Sequence, residues 1–494
     1  MPIKAEYQTE SYIKKTAVLR TQSVVECRFS FGDGANEILA VCAQVSPAGC
    51  EVSSGRVNYG GRLVCTVVCS DVNGKLSRAQ KGAEFAHFAD DDRLAPAQTA
   101  QCRLNCERVT VRRDGSSFVV SAVVSAEITV YGSAERTYLA SASGAVCRSE
   151  PVKLLSAVTF SGESEVEDEF EAAGVEDILM HDAKVLVTDC RCGGGEVRVN
   201  GEIYLSLLAM RGDEPVALDR VIPFSAEIMC DDAVLPRRAV CCAQLLEATV
   251  SARVNEERGR CSVTFNAQLR LDGSFFEEHE TSAVTDAFCE EGNASLEFAY
   301  EEEDVCEEIR VYAERVSGAC SVKGKVDYSC AFRVATCPRA ECTYSADTGM
   351  LEGAVSCTLV YVREGETHST EVVLPFSVKL NGSEGGSASA VDVAVNNISV
   401  RQRAEGECEA EASLKITACV CGRKNCRYVC GIEDAEGDKD EDCAITVLIP
   451  CGGESLWAAA KRLKMKPEEV AEACGGVNFP LGGQERIVIY RPKK

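Results

Sequence analysis

The stretch 261-CSVTFNAQLRL-271 alternates strictly: Val263, Phe265, Ala267, Leu269 and Leu271 share one face, and Thr264, Asn266, Gln268 and Arg270 share the other. A second stretch, 409-EAEASLKITACVC-421, opposes Ala410, Ala412, Leu414, Ile416, Ala418 and Val420 to Glu409, Glu411, Ser413, Lys415 and Thr417. Successive side chains of a strand point to opposite faces, so both patterns predict strands with one buried face, as in a sandwich or barrel. Residues 116–131 (SSFVVSAVVSAEITVY) read the same way, with Val, Ser and Ala in place of long helix formers. The expected class is mainly β. Helical periodicity is weak until the last 50 residues.

The strands recur in a larger unit. Aligning 39-LAVCAQVSPAGCEVSSGRVNYGGRL-63 with 179-LMHDAKVLVTDCRCGGGEVRVNGEI-203 brings together Leu39/Leu179, Ala43/Ala183, Val45/Val185, Cys50/Cys190, Gly55/Gly195, Val57/Val197 and Gly61/Gly201 at one offset of 140. A third copy lies 152 residues further on, with Ala335, Cys342 and Gly353. VIPFSAEI (221–228) matches VLPFSVKL (373–380) at that offset, and a strand pair follows in each copy, near Val111, Val250 and Val400. Many coincidences at a fixed offset signal internal duplication, and this period is the size of a domain. The expected organisation is an N-terminal segment (1–34) packing on or leading into the first repeat, then β domains over 35–150, 151–300 and 301–430. An acidic linker (431–443) and a small module (444–494) complete it. Two further acidic runs, 162-GESEVEDEFEAAGVED-177 and 300-YEEEDVCEE-308, read as solvated junctions.

At 494 residues the chain has room for about three or four domains. Its 77 Asp+Glu against 52 Lys+Arg leave a formal charge of −25, which argues against nucleic acid or an anionic lipid surface as the main partner. The first 20 residues carry no continuous apolar core, so no signal peptide is expected, and no run of about 18 apolar residues occurs. The expected compartment is the cytosol, where 29 cysteines are unusual.

Residues 444–494 read differently. A strand over 444–449 enters a Gly-Gly turn. Ser455 or Glu454 can cap a helix carrying Leu456, Trp457, Ala460 and Leu463 at helical spacing. Pro467 is placed to open a second helix with Glu468 and Glu469 in its first turn, and a strand over 485–490 closes the unit. This module holds eight Lys/Arg against five Glu, a surplus of three positive charges, leaving the rest of the chain at −28. A basic tip on an acidic body suits a protein or polyanionic partner.

The order β-α-α-β, with Gly453-Glu454-Ser455-Leu456-Trp457 opening helix one and Gly482-Gly483-Gln484 before Ile487-Val488-Ile489, resembles a LysM domain. Glu454 stands where that family usually has Asp. Cys474 stands where glycan-binding members commonly have Asn, which puts glycan binding in doubt. One such module behind repeated β domains resembles the SipL-type spore-coat morphogenetic proteins, whose β domains are called SPOCS domains. That resemblance implies a non-enzymatic scaffold in the mother-cell cytosol at the forespore surface. It would tether the assembling coat by binding the basal-layer coat ATPase and other coat proteins through the LysM. The residues it singles out are Trp457, Leu456, Ser455, Ile445, Val447, Lys461, Lys464 and Gln484. Trp457 has two readings, module core or partner face. Two other functions stay open: binding of peptidoglycan or its lipid-linked precursor, and a disulfide-hardened coat or exosporium layer that self-associates.

Cysteines enter the last of these. Cys65, Leu205 and Cys357 are equivalent under the repeat, so the two thiols read as small core residues. Cys419 and Cys421 fall on the polar face of their strand and, with Cys426, Cys430, Cys451 and Cys474, are candidate cross-linking thiols. No set has clean zinc spacing, and no cofactor is expected. Nucleotide-phosphate loops and nucleophile elbows are absent from the sequence, and the four His lie far apart. No enzyme is expected.

Overall fold

The computed structural model describes residues 2–30, 35–71, 74–115, 117–255, 260–322, 326, 329–380, 387–404, 407–435, 445–475, 477–484 and 486–490. The protein is mainly β, built from several sheets. The first group of strands is β1 (Lys4–Ser30), β2 (Ala35–Ser53), β3 (Arg56–Asp71), β4 (Leu76–Asp90), β5 (Thr99–Asp114) and β6 (Ser117–Ser143). They form two sheets, β2-β3-β4 and β1-β6-β5. The second group is β7 (Val146–Ala173), β8 (Asp177–Gly193), β9 (Glu196–Arg211), β10 (Glu214–Met229), β11 (Arg237–Arg238), β12 (Val240–Asn255) and β13 (Arg260–Phe288), in sheets β10-β9-β8-β11 and β12-β13-β7. The third is β14 (Asn293–Val322), β15 (Ala331–Ser345), β16 (Met350–Arg363), β17 (Glu366–Lys379), β18 (Ser387–Ala404) and β19 (Glu407–Ala435), in one sheet ordered β15-β16-β17-β14-β19-β18. Among the described residues, Ser321 and Val322 of β14 join its two halves through β17.

One pairing order therefore occurs three times. A long first strand pairs antiparallel with the last strand of its group, and a three-strand meander lies between them in sequence. In each group the apolar faces enclose one core: Val57, Leu63 and Cys65 meet Val120, Val124 and Ile128 in the first. Leu205 and Leu207 meet Phe265 and Leu269 in the second, and Cys357 and Leu359 meet Leu414 and Ile416 in the third.

The shared glycines have a physical reason. Gly61, Gly201 and Gly353 each lie directly opposite a phenylalanine: Phe85, Phe224 and Phe376. A Cβ on Gly201 would strike the Leu186 carbonyl oxygen and lie 2.5 Å from the Phe224 ring; on Gly61 it would lie 2.8 Å from the Phe85 ring. At Gly61 and Gly201 the ring covers the bare backbone and no larger residue fits beneath it; at Gly353 the Glu341 carbonyl oxygen and Cys342 stand where a Cβ would go. Gly201→Ala is therefore expected to cost about 1–3 kcal/mol through overpacking, read as a lower urea midpoint at unchanged slope.

One expectation narrows and two change. Of the two readings of the first 34 residues, Lys4–Ser30 takes the packed one: it is β1, paired with β6 from Lys4↔Ser143 to Ser30↔Ser117. The acidic runs at 162–177 and 300–308 are largely strand, not junction. Glu163, Glu165, Glu167, Glu169 and Glu171 of β7 all point outward, while Val166, Phe170 and Ala172 point inward. β7 is a sheet edge, and a row of charge there discourages pairing with another chain. The groups change between Ser143 and Val146 and between Phe288 and Asn293, and residues 431–435 end β19. The remainder of the acidic linker, 436–443, lies outside the described residues.

The groups meet at a shared apolar centre. Val68, Leu208 and Val360, related by the offsets of 140 and 152, pack together with Ala40, Cys42, Leu179, Met180, Val334 and Cys337. The C-terminal module is β20 (Ile445–Leu448), α1 (Leu456–Leu463), α2 (Pro467–Ala473) and β21 (Ile487–Tyr490), with β20 and β21 antiparallel. Among the described residues no helix is long and apolar enough to cross a membrane.

Candidate functional site

Two places bring chemistry-bearing side chains together: the junction of the three groups and the C-terminal module. Residues of all three groups line a cavity of about 1160 Å³ at the junction. Arg103 of β5 forms an ion pair with Asp392 of β18, and the Cys242 thiol of β12 lies in their field. These three residues stand at offsets of 139 and 150, the same offsets that relate Val111, Val250 and Val400. Burial opposes charge on Asp392, but Arg103 and Lys184 outweigh it and hold the carboxyl below its usual range. Arg339 donates to the Ala43 carbonyl at 3.0 Å and lies 3.8 Å from Asp182. Gln244 accepts from the Leu104 N–H at 2.7 Å and donates to the Cys102 carbonyl at 2.9 Å, so its amide continues the edge of β5. His181 lines the same cavity, and burial holds its imidazole below its ordinary value. Arg103 and Arg339 each have an acid or carbonyl partner from another group, so the junction acts as a polar clamp between groups.

The module is built as its sequence suggests. Ser455 caps α1, accepting from the Ala458 N–H at 3.2 Å. Pro467 opens α2 with Glu468 and Glu469 in its first turn. Ala459, Ala460, Leu463, Val470, Cys474, Leu481, Ile487 and Ile489 form its core, with Leu456 partly buried beside them. Cys474 is thus a core residue. It is corrected as a cross-linking candidate, and burial pushes its thiol up. Cys451 is exposed. Lys464 ends α1 in a left-handed cap at φ 50°, and Gln484 is exposed in the turn before β21.

Trp457 is partly buried against the module core and extends it to β13. Its indole N–H donates to Asp286 Oδ2 at 2.8 Å, and its ring meets Phe288 edge-on at 5.2 Å. Lys461 reaches Asp286 Oδ1 at 2.5 Å. Both residues are committed to the end of β13, so they are no free partner face. Sequence reasoning missed Asp286 and Phe288, and no local signal marks them: Asp286 is 171 residues from Trp457.

Burial alone would raise Asp286, but Lys461 and Trp457 outweigh it and hold the carboxyl below its ordinary value. A depressed carboxylate contributes its stability above the unfolded pKa of about 3.9 and loses it as pH falls through the folded value. The contact is expected to hold at pH 7 and to loosen below about pH 4. Emission of Trp457, the one Trp of the chain, reports it, and Asp286→Asn should remove that pH dependence.

The opposite face of the module is open. Ile445 pairs with Tyr490 and Val447 with Val488, and these four side chains are 56%, 74%, 52% and 44% exposed. Ile449, just past β20, is also exposed. Cys419 and Cys421 are corrected as exposed thiols: both are buried, against Cys306. Cys426 and Cys430 are half-buried against Tyr138, Leu154 and Tyr428. Among the described residues no disulfide bond is formed, and no group of three His, Cys, Asp or Glu side chains is arranged to hold a metal ion. No protein-family model, curated protein or solved structure matches the chain.

Proposed function

We propose that the chain is a non-enzymatic scaffold in which three repeats of one β-strand arrangement carry an acidic body, and the C-terminal LysM-like module binds a protein partner. The observation that carries this reading is the apolar face of Ile445, Val447, Val488 and Tyr490 on a two-stranded sheet. The helical side of the same module is held by Asp286 and Phe288. A contiguous set of exposed aromatic and branched side chains is the anatomy of a protein-binding patch. Following the resemblance to SipL-type proteins, the partner is the basal-layer coat ATPase, and the chain tethers the spore coat to the forespore surface from the mother-cell cytosol. The buried positions of Cys419, Cys421 and Cys474 weigh against a coat layer hardened through those thiols.

The test is binding of the full-length chain to the purified basal-layer ATPase and, separately, to insoluble peptidoglycan. Ile445→Asp with Val447→Asp is expected to weaken ATPase binding at least about tenfold, the scale of a lost hot spot. Trp457 emission should stay unchanged. Undiminished binding by this variant removes the sheet face from the interface. Pelleting with peptidoglycan and no binding to the ATPase overturns the tether reading.

A further inference from the structure

Cys306 of β14 and Cys419 and Cys421 of β19 are 8%, 7% and 4% exposed. The Cys419 sulfur lies 3.3 Å from that of Cys306 and 3.8 Å from that of Cys421. Cys306 stands opposite Cys421 in the β14–β19 ladder, and the register shifts immediately beside them, between Cys306 and Glu308. Across the bulge Cys419, whose own ladder partner is Ile309, comes within reach of both other thiols. Val240, Ile309 and Ala390 cover the cluster, so a small oxidant can enter by local opening, whereas a thiol of a second chain is kept out.

The geometry points to an intrachain disulfide between Cys306 and Cys419 as an oxidative modification site of this protein, with a diffusible hydroperoxide as oxidant. One thiol attacks the peroxide, its S–O bond forms as the O–O bond breaks, and an alcohol or water leaves. The second thiol then attacks the sulfenic sulfur, the S–S bond forms, the S–O bond breaks, and water leaves. Two thiols are oxidised by two electrons, and one peroxide is reduced. The two sulfurs must close from 3.3 Å to about 2 Å. The bond joins positions 113 residues apart. It would close a loop around β15–β18 and tie the third group in one register.

The experiment treats the full reduced chain with hydrogen peroxide, stops it with catalase, and alkylates free thiols under acidic denaturation. Peptides of the monomer are then mapped by mass spectrometry. The expected result is a Cys306–Cys419 linked peptide, retained in Cys421→Ser and absent in Cys306→Ser. If Cys306→Ser does not fold, by circular dichroism, wild type and Cys421→Ser still decide the matter. Recovery of Cys306 and Cys419 as alkylated thiols at doses that oxidise exposed Cys451 overturns the proposal. So does linkage of Cys306 to Cys421, or to another chain, in place of Cys419.

Discussion

Arg136→Met is expected to cost the fold about 3–5 kcal/mol, the loss typical when one member of a buried ion cluster is removed. Arg136 lies in β6, with its side chain 2% exposed. Its guanidinium donates to Glu301 Oε2 of β14 at 2.8 Å and to the Leu155 carbonyl of β7 at 2.5 Å. Glu10 Oε1 of β1 is 3.2 Å from Nε, an ion pair without hydrogen-bond alignment. The cation also sits 3.6 Å above the Tyr12 ring. Tyr428 donates to the other Glu301 oxygen at 2.6 Å. Burial and the adjacent carboxylate hold the Tyr428 phenol above its ordinary value, so it remains the donor. One side chain thus touches the long strands of all three groups. Methionine keeps most of the stem packing but strands Glu10 and Glu301 without their cation. Adding Glu301→Gln to Arg136→Met should recover part of the loss. Urea unfolding of the two variants decides it: a cost below about 1 kcal/mol, the value of an exposed pair, means the cluster is solvated in solution.

What the sequence disclosed and what it concealed divide along the range of the interactions involved. Strand phase was legible at Val263–Leu271 because one face meets a core and the other meets water. Gly61, Gly201 and Gly353 were legible as a repeated position, and the reason for them is local: the ring across the ladder at Gly61 and Gly201, and the backbone of the neighbouring strand at Gly353. Alternation failed at Cys419 and Cys421. Up to Ile416, β19 alternates between buried and half-buried side chains, but from Ile416 to Cys421 every side chain is buried. There the second face is covered by residues of other strands, Cys306 and Val240 among them. Charge density hid β7 and the start of β14. In β7, Glu at every second position from Glu163 to Glu171 is strand periodicity, but a composition reading sees only an acidic run. The clamp residues Arg103, Cys242 and Asp392 differ in type at one repeated position, so similarity could not find them, though the offset alone would have.

Trp457→Ala is expected to destabilise the C-terminal module by about 3–5 kcal/mol, the range for an aromatic truncated from a packed site. It removes the contact with Phe288 and the hydrogen bond to Asp286 together, so loss of partner binding in that variant says nothing about which face binds. Asp286→Ala separates the two. It leaves the module's own core of Ala459, Leu463, Val470 and Ile489 intact and takes away the acceptor shared by Trp457 and Lys461. Its cost should be about 1–3 kcal/mol, falling on the docking of the module and not on its fold, and the freed indole should emit at longer wavelength. The effect on the partner then discriminates by sign. If the partner takes the Ile445–Val447–Val488–Tyr490 face, as proposed, Asp286→Ala leaves its affinity unchanged within about twofold, because that face is open whether or not the module is docked. If the partner takes the helix face, docking competes with it, only the undocked fraction binds, and Asp286→Ala raises the apparent affinity by the reciprocal of that fraction. Unchanged affinity in Asp286→Ala together with loss in Ile445→Asp/Val447→Asp places the interface on the sheet; a gain in Asp286→Ala makes Asp286 and Phe288 an internal competitor for the partner and moves the interface to α1.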